Sequence, residues 1–171
     1  VSNIPADVEI LDEKNLTLLP KAIKNPVEME NERRAHIRDG VAVTKFIYWL
    51  KTNVGKEKIT ELSAAEKLYS LRKEQEHFVG ESFDPIIAYG THAAIVHYSA
   101  TEETDIPLEP KGMVLADTGG HYLEGTTDIT RTIVLGPVTE KEKKYFTAVL
   151  RGNLNLAAAR FRYGCTGLNL D

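Results

Sequence analysis

Asp117 and Asp128 are the residues whose types and spacing could do chemistry. Asp117 closes the apolar run Met113-Val-Leu-Ala116, and Asp128 opens Ile129-Thr-Arg-Thr-Ile-Val134, rich in β-branched residues. Gly119, Gly120 and Gly125 lie between them, so the stretch reads as a β-hairpin. A turn near Tyr122 and Leu123 sets the two aspartates opposite each other, with Cβ atoms about 5 Å apart. Carboxylates that close repel unless a proton or a cation sits between them. Hard and borderline cations take such oxygens readily, and a close pair can bridge two metals about 3.5–4 Å apart. Most aspartate pairs at this separation are unrelated surface residues. Here the flanking strands let both acids point inward, which favours a metal site. Two ligands do not complete one.

Among the five histidines, His97 stands out because it ends the apolar run Ala93-Ala-Ile-Val96 just before a polar loop. A neutral imidazole there could donate a hydrogen bond or shuttle a proton. His36 falls on an apolar helix face and reads as structural. His77 ends a charged helix and reads as solvated, and His92 and His121 read as exposed turn residues. No Gly-x-Ser-x-Gly elbow is present, Cys165 sits in a Gly-Cys-Thr-Gly turn without an evident partner, and that turn lacks the Gly-Lys-Ser/Thr ending of a phosphate loop.

Several elements must position these residues. Residues 8–11 suggest a short strand and residues 16–20 a connector. Asn25-Pro26, followed by Glu28, starts a helix reaching about Thr52. Val43, Phe46, Ile47 and Leu50 form one apolar face, while Ile37, Val41 and Tyr48 form a second, so the helix is expected to be packed between other elements. Ser63-Ala-Ala-Glu66 reads as a capping box opening a helix to about Glu76, with Leu68, Tyr69 and Leu71 as its apolar stripe and Lys67, Arg72, Lys73 and Glu74 solvated. Residues 78–83 read as a connector, 85–89 as a strand, 93–98 as a second strand after a turn, and 99–110 as a loop. Thr139-Glu-Lys-Glu142 opens a last helix running towards Phe161. The order predicts an α+β fold with a mainly antiparallel sheet and flanking helices.

Composition narrows the class. The 171 residues carry 21 Lys and Arg against 25 Asp and Glu, a net charge of −4, so no basic excess points to nucleic acid. An apolar fraction of 42% supports a real core. No apolar run approaches the roughly 18 residues that span a bilayer. One cysteine excludes an internal disulfide framework and fits a reducing cytoplasm. The start at Val-Ser-Asn and the stop at Asp171 suggest a piece of a longer polypeptide.

Four stretches carry a family resemblance: Lys24-Asn-Pro-Val-Glu-Met-Glu-Asn-Glu-Arg-Arg-Ala-His-Ile-Arg-Asp39, Thr60-Glu-Leu-Ser-Ala-Ala-Glu66, Ile95-Val-His-Tyr98, and Asp117 with Gly125-Thr-Thr-Asp-Ile-Thr-Arg-Thr132. In these the chain resembles the pita-bread metallopeptidases, and within them the Xaa-Pro aminopeptidase (aminopeptidase P) branch. The last stretch is the most specific. The resemblance implies the first half of a pita-bread fold, with residues 1–24 a connector or the end of a preceding domain and 25–171 the incomplete N-terminal part of the catalytic domain. It implies a cytoplasmic enzyme holding two divalent metals, usually manganese, with zinc or cobalt as alternatives. Asp117 would bind one metal and Asp128 both, while a metal-bound hydroxide attacks the bond before proline. His97 would position the substrate and transfer a proton. The implied partner is a peptide with an Xaa-Pro N-terminus, without nucleic acid or membrane, and with a homodimer left open. The family's remaining His and two Glu ligands have no match here, so the chain alone is expected to be inactive and to leave an apolar sheet face uncovered. Two rivals stay open: prolidase, and a pita-bread peptide-binding module without catalysis.

Overall fold

A computed structural model describes residues 5, 7–8 and 15–170. The strand expected over residues 8–11 falls, apart from Val8, outside them. A short helix α1 (Leu18–Ala22) occupies the expected connector and precedes the long helix α2 (Pro26–Asn53). The Asn25 side chain accepts hydrogen bonds from the Val27 and Glu28 amides, and the Glu28 carboxylate accepts one from the Asn25 amide. This reciprocal cap, with Pro26 behind it, fixes the start of α2 as the sequence predicts.

The buried stripe of α2 is Ala35, Asp39, Ala42, Phe46 and Leu50. Val43 and Ile47 are partly buried against it, whereas Ile37, Val41 and Tyr48 are exposed. The second apolar face therefore has no covering element among the described residues, contrary to the expectation that α2 is packed on two sides. His36 is exposed too, its ring bonded to the Glu32 carbonyl one turn back.

Helix α3 (Glu61–Lys73) begins three residues earlier than its sequence suggests. Thr60, not Ser63, is the cap: Thr60 Oγ1 accepts from the Ser63 amide and Ser63 Oγ from the Thr60 amide. Asp105 takes a further free amide, that of Leu62. The loop 99–110 holds this end in place, since the Glu61 amide donates to the Ile106 carbonyl. Arg72, expected in solvent, is fully buried.

Strand β1 (Phe78–Glu81) replaces the expected connector and pairs antiparallel with β4 (Gly120–Tyr122). Edge-to-face aromatic contacts, Tyr69 to Phe78 and Phe78 to Tyr122, hold this ribbon to α3. Strands β2 (Ile86–Tyr89), β3 (Met113–Thr118) and β5 (Ile129–Val134) form a three-stranded antiparallel sheet in the order β2-β3-β5. Its inward residues, Ile87, Val114, Ala116 and Ile133, close a core with Phe46 and Leu50 of α2, Leu68 and Leu71 of α3, and Ile59 of the connection between them. The other face carries Met113, Leu115 and Asp117.

Residues 93–98 do not form the expected strand. A 3-10 turn, Gly90–Ala94, is followed by a tight turn in which the Tyr98 amide donates to the Ile95 carbonyl. The reason is the buried Glu61 carboxylate, which accepts from the Tyr89 amide, the His92 ring and the Tyr98 hydroxyl. The segment curls round that charge, and Ile95 and Val96 face solvent. Helix α4 (Glu140–Ala158) starts at the predicted Thr139–Glu142 capping box but buries none of its residues. The fold is α+β.

Candidate functional site

The β3–β5 hairpin carries both acids, though not in the predicted register. Tyr122 and Gly125 exchange backbone hydrogen bonds of 2.8 and 3.2 Å, closing a loop over Leu123 and Glu124. Two outside anchors fix the loop there. Leu123 donates its amide to the His77 carbonyl, and the Glu124 carboxylate receives both Arg38 and the His77 ring. His77, read as solvated, is thus half of this anchor. The turn centre lies one residue beyond the expected one, so every cross-strand partner moves by two. Asp117 faces Thr130, not Asp128.

Side-chain direction in a strand repeats every two residues, so a shift of two leaves the face unchanged. Asp128 lies just outside β5, two residues before Thr130 and next to the buried Thr127, and strand parity carried one residue beyond β5 would put it on the face of Asp117 and diagonal to it. Diagonal neighbours have Cα atoms about 7–8 Å apart, with Cβ atoms closer, a span that carboxylates can bridge through shared cations. Asp117 is half-buried and accepts a 2.7 Å hydrogen bond from the Thr130 hydroxyl at Oδ1. Asp128 is exposed.

The ladder opens between the acids. Gly119 separates β3 from β4, and its carbonyl accepts from the Ser82 amide instead of from β5. The Ser82 hydroxyl donates to the Thr127 carbonyl. A Cβ at position 119 would lie 2.1 Å from that carbonyl oxygen and 2.2 Å from Ser82 Oγ. We expect Gly119→Ala to cost about 1–3 kcal/mol of stability and to loosen the segment carrying Asp128. Chemical denaturation checks this, and an unchanged unfolding midpoint would refute the tight fit.

His97 occupies the exposed turn with φ 56°, a left-handed conformation uncommon outside glycine. Its neighbour Tyr98 is pinned to Glu61 from the buried side. Among the described residues no three of His, Cys, Asp and Glu gather as a metal-holding group, so His97 does not join the two acids in one. His92, read as an exposed turn residue, is largely covered and bonded to Glu61. His121 is exposed as expected.

The donor set fits part of a site for hard or borderline cations. One carboxylate is oriented by a hydroxyl, the other is exposed, and neither is tied up in an ion pair among the described residues. Further donors are needed for full coordination.

Sequence reasoning missed what lies behind this face. Asp39 of α2 and Arg72 of α3 form a fully buried pair, Nε to Oδ1 2.7 Å and Nη2 to Oδ2 3.2 Å. Thr127, Thr118 and Tyr122 hydrogen-bond into it. Asp39 interrupts the apolar stripe of α2 between Ala35 and Ala42, which was the legible signal. Burial, followed by the Asp39 charge and hydrogen bond, holds the Tyr122 phenol far above its ordinary range. A raised acid binds its proton more tightly folded than unfolded. The associated stability is full below about pH 10 and declines as pH rises beyond that. Tyr122→Phe is expected to flatten the alkaline limb of a stability–pH curve. An identical limb in the variant would exclude this role. Tyr89 and Tyr98, also raised chiefly by burial, retain their own shares.

Residues 30–171 match the family described as metallopeptidase family M24. The chain is 45% identical over 153 residues to the probable Xaa-Pro aminopeptidase P of Arthroderma gypseum, covering 88% of this chain and 24% of that protein. The same identity and coverage of this chain hold for the corresponding protein of Paracoccidioides brasiliensis, of which 25% is covered. The chain therefore spans about a quarter of the length of the curated relatives it matches. Among solved structures, the X-prolyl aminopeptidase of Caenorhabditis elegans, described as a cytosolic enzyme with a di-nuclear active site, superposes with a TM-score of 0.84 at 38% identity. That match covers 92% of this chain and 26% of the other. The Xaa-Pro dipeptidase of Bacillus anthracis gives a TM-score of 0.72 at 26% identity, covering 91% and 41%.

Proposed function

The chain belongs to metallopeptidase family M24, in its aminopeptidase P branch with the pita-bread fold, and from that membership we propose that it contributes to removal of the N-terminal residue from peptides with proline second. In this reading residues 25–171 are the N-terminal part of the catalytic domain and residues 1–24 a connector or the end of a preceding domain. Asp117 and Asp128 would hold a pair of divalent cations, manganese in the first instance, with Asp128 serving both. Cations held there would supply Lewis acidity for the scissile carbonyl and for an attacking water.

The chain's own residues do the rest. Thr130 fixes one Asp117 oxygen by donating its hydroxyl, which leaves the second oxygen available to a cation. His97, exposed on its turn, positions the substrate and takes part in proton transfer. Glu61 sets that turn through Tyr98. What supports the reading is 45% identity to aminopeptidase P relatives in a chain that carries both acids at its β3–β5 hairpin. The lower identity to the Xaa-Pro dipeptidase, 26%, favours aminopeptidase over prolidase activity. Presence of both acids disfavours a purely binding role. A cytoplasmic location agrees with the cytosolic C. elegans relative. Among the described residues no helix is long and apolar enough to cross a membrane.

The test is release of the first residue from an Xaa-Pro-Xaa tripeptide, with manganese supplied or chelated. The complete protein carrying this chain is expected to be active with manganese and silent after chelation. The 171-residue chain alone is expected to be inactive and to bind manganese weakly. Manganese-dependent turnover by the isolated chain, or chelator-resistant turnover by the complete protein, would overturn the reading.

A further inference from the structure

We propose that the buried Asp39–Arg72 pair is a positioning device that sets Asp117 and Asp128 relative to each other; this rests on their reading as metal ligands. Residues adjacent in a strand point to opposite faces. The neighbours of the two acids, Thr118 and Thr127, therefore point inward, and both are buried. Arg72 Nη2 donates to Thr118 Oγ1 at 3.0 Å, and Thr127 Oγ1 donates to Asp39 Oδ2 at 2.6 Å. Arg72 and Asp39 are joined by two hydrogen bonds, so a continuous chain of side chains runs from the backbone beside Asp117 to the backbone beside Asp128. Tyr122 donates to the same carboxylate, and Thr127 Oγ1 also accepts the Gly120 amide.

This connection spans an interruption in the ladder, on whose far side the Thr127 amide donates to the Gly120 carbonyl at 2.9 Å. The β3–β5 ladder stops at the Thr118–Ile129 rung, and Gly119 has turned its carbonyl to Ser82. Across that interruption the buried side chains join the Thr127–Gly120 backbone bond in setting the diagonal between the acids. Stability alone does not account for the pair, because apolar residues of similar volume usually do as well as a buried ion pair. What such residues could not supply is four directed donors on one carboxylate, from α3, β4 and the segment preceding β5. The two helices thereby dictate the spacing of two acids on the opposite side of the sheet.

The test uses the complete protein, stripped of metal and titrated with manganese by calorimetry, with the visible spectrum of the cobalt form as a second readout. Thr127→Val keeps the shape and removes the hydroxyl. It is expected to weaken manganese binding about 10- to 100-fold, the range seen when groups supporting metal ligands are lost, and to alter the cobalt spectrum. Thr127→Ser, which keeps the hydroxyl, is expected to restore most of that affinity. If Thr127→Val does not fold, Thr118→Val carries the same expectation with a single hydrogen bond lost. Wild-type affinity and an unchanged cobalt spectrum in the folded valine variant would overturn the inference, whatever its unfolding temperature. Asp128→Asn separates the two levels. Undiminished manganese binding in it defeats the metal-ligand reading itself, whereas lost binding there with none lost in Thr127→Val defeats only the positioning role.

Discussion

Asp128→Asn in the complete protein is expected to lower kcat/KM for an Xaa-Pro peptide by more than about 100-fold while leaving the unfolding midpoint where it was. The two halves of this expectation have separate causes. Asp128 is exposed and makes no ion pair among the described residues, so a substitution of equal size belongs to the class that changes stability by less than about 0.5 kcal/mol. Its chemistry changes completely. A carboxylate offers two anionic oxygens and can serve two cations, whereas an amide offers one neutral oxygen and a donor that repels them. Loss of a shared ligand should exceed the 10- to 100-fold effect of losing a supporting group, and 100-fold corresponds to about 2.7 kcal/mol of transition-state stabilisation. Activity within tenfold of wild type would refute the shared role. Asp117→Asn should act similarly, although the Thr130 hydroxyl would hold the amide oxygen and turn the NH2 towards the cations.

Arg72→Met is expected to destabilise the protein by about 3–5 kcal/mol, the usual cost of leaving one member of a buried ion pair alone. Both partners are 0% exposed, so water cannot replace the guanidinium without opening the core. The Asp39 carboxylate would keep the Tyr122 and Thr127 hydroxyls but lose its countercharge and two of its donors. Adding Asp39→Asn to Arg72→Met removes the stranded charge and should recover much of the loss. Urea unfolding of the single and double variants measures both. A double variant no more stable than Arg72→Met would exclude stranded charge as the cause.

The elements most legible in the sequence were those whose signals are local. The Asn25-Pro26-Val-Glu28 start of α2 and the Thr139–Glu142 start of α4 rest on bonds within a single turn, and both formed as read. So did the β3–β5 hairpin, from its β-branched runs and glycines. The start of α3 was misplaced because Thr60 and Ser63 make a cap as good locally as Ser63 and Glu66. The choice fell to Asp105, 43 residues from its partner Leu62. The run 93–98 has the composition of a strand and became a curl because Glu61, distant in sequence, draws His92 and Tyr98 to itself. Arg72 was assigned to solvent because a lone arginine on a helix usually belongs there. Its partner Asp39 sits on another helix, which no periodicity reveals.

For the candidate site, the sequence by itself determined which two acids flank the hairpin, because both are read directly from its strand and glycine pattern. It also determined the family, through the wording around those acids. The tertiary structure alone decided their spacing. The turn position depends on Arg38 and His77 meeting Glu124, and the gap in the ladder depends on Ser82 displacing a rung at Gly119. Those contacts join segments tens of residues apart, and a hydrogen bond across such a distance exists only once the core has brought its two ends together.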